Sequence, residues 1–369
     1  MSTPAGNGRA ALGDIRLPST TPLQLIDPDG TQGNNPGDLT LPAPDVLVEV
    51  YRRMVLGRRL DSQATALTKQ GRLAVYPSSR GQEACEVGAV LALREQDWLF
   101  PTYRDSVAIL TRGVDPVEVL TLLRGDWHCG YDPYEHRVAP QCTPLATNTL
   151  HAVGLAHAAR VKHDDEVALV LLGDGATSEG DTHEALNFAG AWKAPVVFLV
   201  QNNGYAISVP VSKQTAAPTL AAKGLGYGIP ALLVDGNDPA AVYAATRAAV
   251  GRAAAGQGPT LIEAITYRIE AHTNADDASR YRAGDEVQAW LARDPISRLE
   301  AYLRTAGRLD DAAVDALAAE AEQRAATLRE RMNTETEPDP AALFTHVYAR
   351  PTAVLEQQRQ DLLAGFEDE

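Results

Sequence analysis

The sequence predicts an α/β chain: a mostly parallel sheet with helices on both faces, a flexible N-terminal arm and a helical C-terminal region. Three observations carry this prediction. Between residues 149 and 275, short aliphatic runs alternate with stretches of helical periodicity. Near-continuous Val/Ile/Leu strands separated by helices indicate a parallel sheet buried on both faces. Proline and glycine crowd the first 44 residues, and the chain beyond Asp294 is rich in Ala, Glu and Arg at helical spacing.

Residues 1–44, which include DPDGTQGNNPGD, are expected to form a flexible arm that drapes over a partner. A main α/β domain is expected over residues 45–294. It opens with Asp45 as N-cap of a helix to about Gln70, in which Leu47, Val50, Tyr51, Met54 and Val55 recur at helical spacing. Arg52, Arg53, Arg58 and Arg59 are expected on its solvated face. A second helix is expected over Glu83–Leu93, and WLFP, ending at Pro101, as a strand.

The alternating region then reads LHAVGLAHAARV (helix), VALVLL (strand), THEALNFAGAW (helix), VVFLVQ (strand), ALLVDG (strand), AAVYAATRAAV (helix) and TLIEAITY (strand). The C-terminal extension, residues 295–369, carries DDAAVDALAAEAEQRAATLRERM. Pro338 and Pro340 break that pattern before a last helical stretch.

Bulk properties narrow the partners. The formal charge is −15 over 369 residues, a field that repels phosphate backbones, so nucleic acid is a poor partner and any anionic ligand must be met locally. No apolar run approaches the roughly 18 residues that span a bilayer. MSTPAGNGRA lacks the apolar core of a signal peptide. Cys85, Cys129 and Cys142 form no CxxC pair and are odd in number, which fits a reducing compartment, and a cytoplasmic protein is expected. His128, Cys129, His136 and Cys142 lack the short ligand pairs of a zinc site.

The chemistry centres on LLGDGATSEGD, where VALVLL ends in an aspartate between two glycines. Gly-Asp-Gly is good turn material. It also stands at the carboxyl end of a parallel strand, where open sheets bind ligands, just before a helix starting near Ser178 to Asp181 whose amides face a phosphate. GDGATS breaks the GxGxxG fingerprint at its last position, GATSEG is one residue too long for GxSxG, and GxxxxGK[ST] does not occur. An aspartate there becomes useful when a divalent cation lies between it and a diphosphate. The next strand ends in Asn202, Asn203, Gly204 and Tyr205, and 203 − 174 gives 29 residues. One helix and one return strand span about that length, so the crossover brings Asp174 and Asn203 to one sheet edge. Asn203 offers a side-chain oxygen, and a nearby carbonyl, that of Tyr205, a third. Gly-Asp-Gly followed at this distance by Asn-Asn is the thiamine diphosphate signature.

With YPSSRGQEA, DWLFPTYRD, CTPLAT, GDGATSEGDTHEALNFAGAWKAPVVFLVQNNGYAIS, VDGNDPAAVYAAT and TYRIEAHTNADDASRYR, the chain resembles, over roughly residues 45–350, a known family. This is the alpha subunits of the thiamine-dependent decarboxylating component of 2-oxo acid dehydrogenase complexes, most closely the branched-chain type. The resemblance implies the thiamine-diphosphate-binding fold, with magnesium held by Asp174, Asn203 and the Tyr205 carbonyl. It places Gly175 and Ala176 against the diphosphate, Tyr103, Arg104 and Arg268 within its reach, and Thr143 and Leu145 along the cofactor cleft. His272 is implied as the catalytic residue, suited to proton transfer or to stabilising an oxyanion. CTPLATN looks like a loop that binds potassium in some relatives, but Asn148 stands where those carry glutamine, so potassium stays open. Thr273 falls where mitochondrial relatives have a regulated serine.

The resemblance also implies partners: a beta subunit in an α2β2 heterotetramer, since one α/β domain grips only one end of the cofactor, and a lipoyl-bearing acyltransferase core. The substrate would be a branched-chain 2-oxo acid, decarboxylated with transfer of the acyl group to lipoyl. A pyruvate-specific alpha subunit is the nearest alternative. Others are a magnesium-dependent phosphate hydrolase acting alone and a noncatalytic scaffold subunit.

Overall fold

The computed structural model describes residues 18–33, 39–126, 128–334 and 339–367. The strands are β1 (Trp98–Phe100), β2 (Ala168–Gly173), β3 (Val196–Asn202), β4 (Tyr205–Ala206), β5 (Val209–Pro210), β6 (Ala231–Asp235) and β7 (Thr260–Ile265). β4 and β5 form a small antiparallel hairpin. The other five make one sheet in the order β1-β2-β3-β7-β6, with every neighbouring pair parallel.

Side chains of a strand alternate between faces, and here both faces are dry. Leu169 and Leu171 of β2, with Val197 and Leu199 of β3, pack in a core with the helices Glu83–Leu91, Ser106–Thr111 and Pro239–Ala254. Ala168, Val170, Leu172, Val196, Phe198 and Val200 point the other way, into a core with Thr147–Lys162 and Gly180–Trp192. That two-sided burial is why the strands read as unbroken aliphatic runs. Among the described residues no helix is long and apolar enough to cross a membrane.

The first helix spans Pro44–Lys69, and its start differs from the expectation. Proline 44 takes the first helical position and Ala43 the cap, without a side-chain bond, because the fixed φ of proline is already helical. Asp45 instead lies in the first turn and pairs with Arg308. The expected solvated arginine face is also corrected. The C-terminal helices Pro295–Thr305 and Asp311–Asn333 pack along this helix, so Arg52 meets Glu320 at 2.5 Å and Arg59 meets Glu322 at 2.7 Å. Arg58 reaches the buried Glu83 at 2.7 Å and Asp294 at 2.6 Å, and Arg53 reaches Glu49 at 2.6 Å. The sequence shows these arginines only against their own helix, not against a helix some 260 residues on.

Part of the expected arm lies against the sheet. Leu23 N–H donates to Leu233 O at 2.9 Å and Asp235 N–H to Leu23 O at 3.0 Å, which lays the segment parallel to the β6 edge. Asp238 caps the helix Pro239–Ala254 with one oxygen and accepts the amides of Leu25 and Ile26 with the other. The fully buried Arg298 donates to Ile26 O and to the buried Asp235, at 2.9 Å. Residues 1–17 and 34–38 of that arm, and Pro338, lie outside the described residues.

Removing one member of a buried ion pair strands the other charge, at a cost of about 3–5 kcal/mol. Arg298→Met is therefore expected to lower the urea unfolding midpoint by that equivalent, and an unchanged midpoint would show that the pair contributes little.

Candidate functional site

β2 and β3 pair in parallel with Gly173 opposite Gln201, so the residues that follow leave the sheet together. Asp174 is buried, and the main-chain amide of Asn203 donates to its carboxylate, as does Gln214 Nε2 at 2.6 Å. Burial pushes the Asp174 carboxyl up from its ordinary value, and these donors and Arg268 pull against that. Asn203 Oδ1 accepts the Tyr205 amide at 3.1 Å. After Asp174 the chain makes one tight turn over Gly175–Ser178 and enters the helix Gly180–Trp192. A Cβ on Gly175 would stand 2.7 Å from Ala206 Cβ, so glycine is needed for the turn to lie under the β4–β5 hairpin.

The neighbouring strand ends converge on the same cleft. Arg104 follows β1 and Arg268 follows β7, and both are buried. Their guanidinium groups meet on one imidazole: His272 Nδ1 lies 3.1 Å from Arg104 Nη2 and 3.2 Å from Arg268 Nη1. Arg104 also donates to Ser78 O and His272 O, and Arg268 to Ile207 O and the Tyr281 hydroxyl. Among the described residues no carboxylate lies within ion-pair distance of either arginine, and Arg268 Nε has no partner. Two buried cations with no carboxylate in contact, in a chain of net charge −15, mark a place for an anionic ligand.

Guanidinium groups only donate, so Nδ1 of His272 accepts and the ring proton sits on Nε2. Burial, followed by Arg104 and Arg268, drives the imidazole down to about 4 from 6.5. The ring is therefore neutral near pH 7, with a donor to offer. Its amide is tied to Asp276, which also accepts from Tyr281, and Tyr103 packs edge-on at 6.0 Å between ring centroids.

Of the residues singled out in the sequence, Tyr103, Arg104, Leu145, Asp174 and Gly175 line this cleft, as do Ala176, Asn203, Tyr205, Arg268 and His272. Thr143 is exposed and is not among the lining residues, where Cys142 and Pro144 stand on either side of it. Asn148 is buried and donates to Leu171 O at 2.9 Å, tying the Thr147–Lys162 helix to β2. Sequence reasoning missed several supports. Asp61, buried and raised by that burial to about 6, accepts from Tyr76, Ser78 and the Ser79 amide, and so holds the segment that receives Arg104. Ile207 turns the hairpin at φ 56, a costly value for a β-branched residue, and its carbonyl accepts from Arg268. Gln82 and Gln201 also line the cleft, and nothing in SSRGQ or VVFLVQ separates them from other polar residues at the ends of elements.

Comparison with known proteins gives the family. The family model described as "Dehydrogenase E1 component" matches residues 51–341. The chain belongs to that family. It is 47% identical over 344 residues, 93% of this chain and 94% of the relative, to the 3-methyl-2-oxobutanoate dehydrogenase subunit alpha of Mycobacterium tuberculosis. It is 42% identical over 289 residues, 77% of each chain, to the pyruvate dehydrogenase E1 component subunit alpha of Staphylococcus aureus. The family depends on thiamine diphosphate.

The depressed His272 value has two readable consequences. As pH falls from 6.5 towards 4, the unfolded chain takes up a proton on this ring before the folded chain does, so His272 subtracts stability in that window and nothing above it. His272→Gln is expected to flatten that part of the acid decline. Inorganic pyrophosphate, by offsetting the two guanidinium charges, is expected to raise the His272 value in an imidazole NMR titration. A ring that titrates near 6.5 with or without pyrophosphate would contradict the assigned electrostatics.

Proposed function

We propose that this chain is the alpha subunit of a branched-chain 2-oxo acid dehydrogenase, binding the diphosphate end of thiamine diphosphate through magnesium. The observation that carries the reading is the pairing of Asp174 and Asn203 at adjacent strand ends, facing two buried arginines that lack a carboxylate. Oxygen donors from one carboxylate, one carboxamide and the Tyr205 carbonyl suit magnesium, which fills its other positions with phosphate oxygens and water. The residues fit the group on a further count: Gly175 and Ala176 line the cleft beside these donors, and Gly175 lies where a side chain would collide.

When bound, thiamine diphosphate supplies an electron sink for decarboxylation of a 2-oxo acid. This chain's residues prepare the place for it. Arg104 and Arg268 offset the diphosphate charge, while Asp174 and Asn203 hold the cation. His272, neutral and protonated on Nε2, donates a hydrogen bond to a substrate oxygen or a lipoyl sulfur, while the arginines keep Nδ1 as acceptor. Asp276 holds the loop that carries it.

The chain contributes one α/β sheet, so the other end of the cofactor falls to a beta subunit, within an α2β2 assembly that transfers acyl groups to a lipoyl-bearing acyltransferase. Likeness to the mycobacterial relative, over nearly the whole of both chains, supports branched-chain substrates over pyruvate.

In the assembled tetramer, Asp174→Ala is expected to weaken magnesium-dependent cofactor binding by more than about 100-fold, since changes one shell further out already cost about 10- to 100-fold. Unchanged affinity would refute the ligand assignment. Coexpressed with its beta subunit, the enzyme is expected to decarboxylate 2-oxoisovalerate, 2-oxoisocaproate and 2-oxo-3-methylvalerate faster than pyruvate. Equal or better use of pyruvate would overturn the substrate assignment, and phosphate release by the chain alone would favour a hydrolase.

A further inference from the structure

Behind Asn203 lies a row of side-chain amides. Asn203 Nδ2 donates to Gln82 Oε1 at 3.0 Å, Gln82 Nε2 to Gln201 Oε1 at 2.9 Å, and Gln201 Nε2 to Asp105 Oδ1 at 2.6 Å. All four side chains are buried. Each primary amide has a donating and an accepting end, so such a row is self-consistent in either sense. Its two ends decide which sense is taken: at one the Tyr205 main-chain amide can only donate, and it meets Asn203 Oδ1, while at the other stands an anchor.

That anchor is a carboxylate. Asp105 Oδ2 accepts the Thr102 amide at 2.6 Å, and an ionised carboxylate has nothing to donate. Burial raises the Asp105 carboxyl, but the Thr102 amide, Gln201 and Arg104 favour its charged form. The neighbouring Glu86 is pushed well up by burial and then by the charge of Asp105, and the two N–H donors on Asp105, the Thr102 amide on Oδ2 and Gln201 on Oδ1, are those of an accepting carboxylate. Gln201 must therefore present nitrogen to Asp105 and oxygen to Gln82. Gln82 must do the same in turn towards Asn203. The nitrogen of Asn203 is thereby committed to Gln82, and its oxygen is left to accept the Tyr205 amide with a second lone pair to spare.

We propose that Asp105, through Gln201 and Gln82, orients the Asn203 carboxamide so that its oxygen, and not its nitrogen, is offered to the divalent cation held with Asp174. This rests on the proposed roles of Asp174 and Asn203 and extends them to three residues that act through Asn203. With the row reversed, an amide N–H would face the cation and repel it. Asp105, Gln201 and Gln82 are thus positioning residues, and the sense of the row is the property they transmit.

The test is a magnesium titration of the assembled α2β2 complex at fixed thiamine diphosphate, followed by quenching of intrinsic fluorescence on cofactor binding. Gln201→Leu breaks the row and is expected to raise the magnesium midpoint by about 10- to 100-fold, the range for loss of an outer-shell partner. Asp105→Asn, which keeps the shape but frees the sense, is expected to move it in the same direction. The decisive comparison adds Asn203→Asp. A carboxylate at position 203 has no nitrogen for Gln82, so in the native row it faces the Gln82 oxygen and the midpoint rises. Once Gln201→Leu has released Gln82 to turn its nitrogen around, the same change brings the midpoint back towards the native value.

A merely structural role predicts that the two defects add. Addition, or an unchanged midpoint in Gln201→Leu, overturns the proposal. Asp174→Ala serves as reference. If it raises the midpoint while Gln201→Leu does not, the amide row is refuted and the ligand reading stands, and if neither moves it, both fall. Should Gln201→Leu fail to assemble, Asp105→Asn in combination with Asn203→Asp gives the same comparison, with rescue expected and addition contrary.

Discussion

The parallel register of β2 on β3 is the constraint on which the site depends. Gly173 stands opposite Gln201, so the two chains leave the sheet at the same height and Asp174 receives the amide of Asn203. A slip of one residue would turn every side chain of β3 to the opposite face, exchanging Phe198 and Val200 for Val197 and Leu199 against unlike cores. The core thus fixes the edge that carries the cleft, and it does so with Val197, Phe198, Leu199 and Val200, none of which lines it. The helix Gly180–Trp192 joins the two strands and closes one face of the sheet, so connection and covering are a single element.

Charge is distributed with a similar economy of parts. The chain is acidic overall, yet its cleft gathers Arg104 and Arg268 around a neutral ring. Most other arginines are spent on carboxylates: Arg52, Arg53, Arg58 and Arg59 bind Glu320, Glu49, Glu83 and Glu322 along the first helix. The two in the cleft are held by carbonyl oxygens and a hydroxyl instead, which fix their direction without neutralising them. Cations held in place with no carboxylate in contact attract an anion without first having to reorganise.

Much of the sheet was legible in the sequence because strands buried on both faces must be aliphatic throughout, and VALVLL, VVFLVQ and TLIEAI can hardly be anything else. The clustering of Asp174 with Asn203 was legible too, since chain length sets how far a crossover can return. Short helices such as Ser106–Thr111 and Pro116–Arg124 escaped notice, being too brief for periodicity to register. The first helix was found but its surroundings were not: which face of Pro44–Lys69 is solvated depends on Asp311–Asn333, a distant partner with no local trace. Gln82 and Gln201 escaped for another reason. An amide in a buried row looks like any polar residue at a strand end until its neighbours are known in three dimensions.

The segment around Leu23 has an effect apart from the cleft. A sheet ending at β6 would leave a row of unsatisfied amides and carbonyls open to any extended polypeptide, the usual seed of unwanted strand exchange. Leu23 occupies part of that rim, and Asp238 and Arg298 clamp the residues after it to the body of the molecule. What reads in the sequence as a loose leader behaves here as a selvedge, stitched along the fabric's cut side so that it neither frays nor snags on its neighbours.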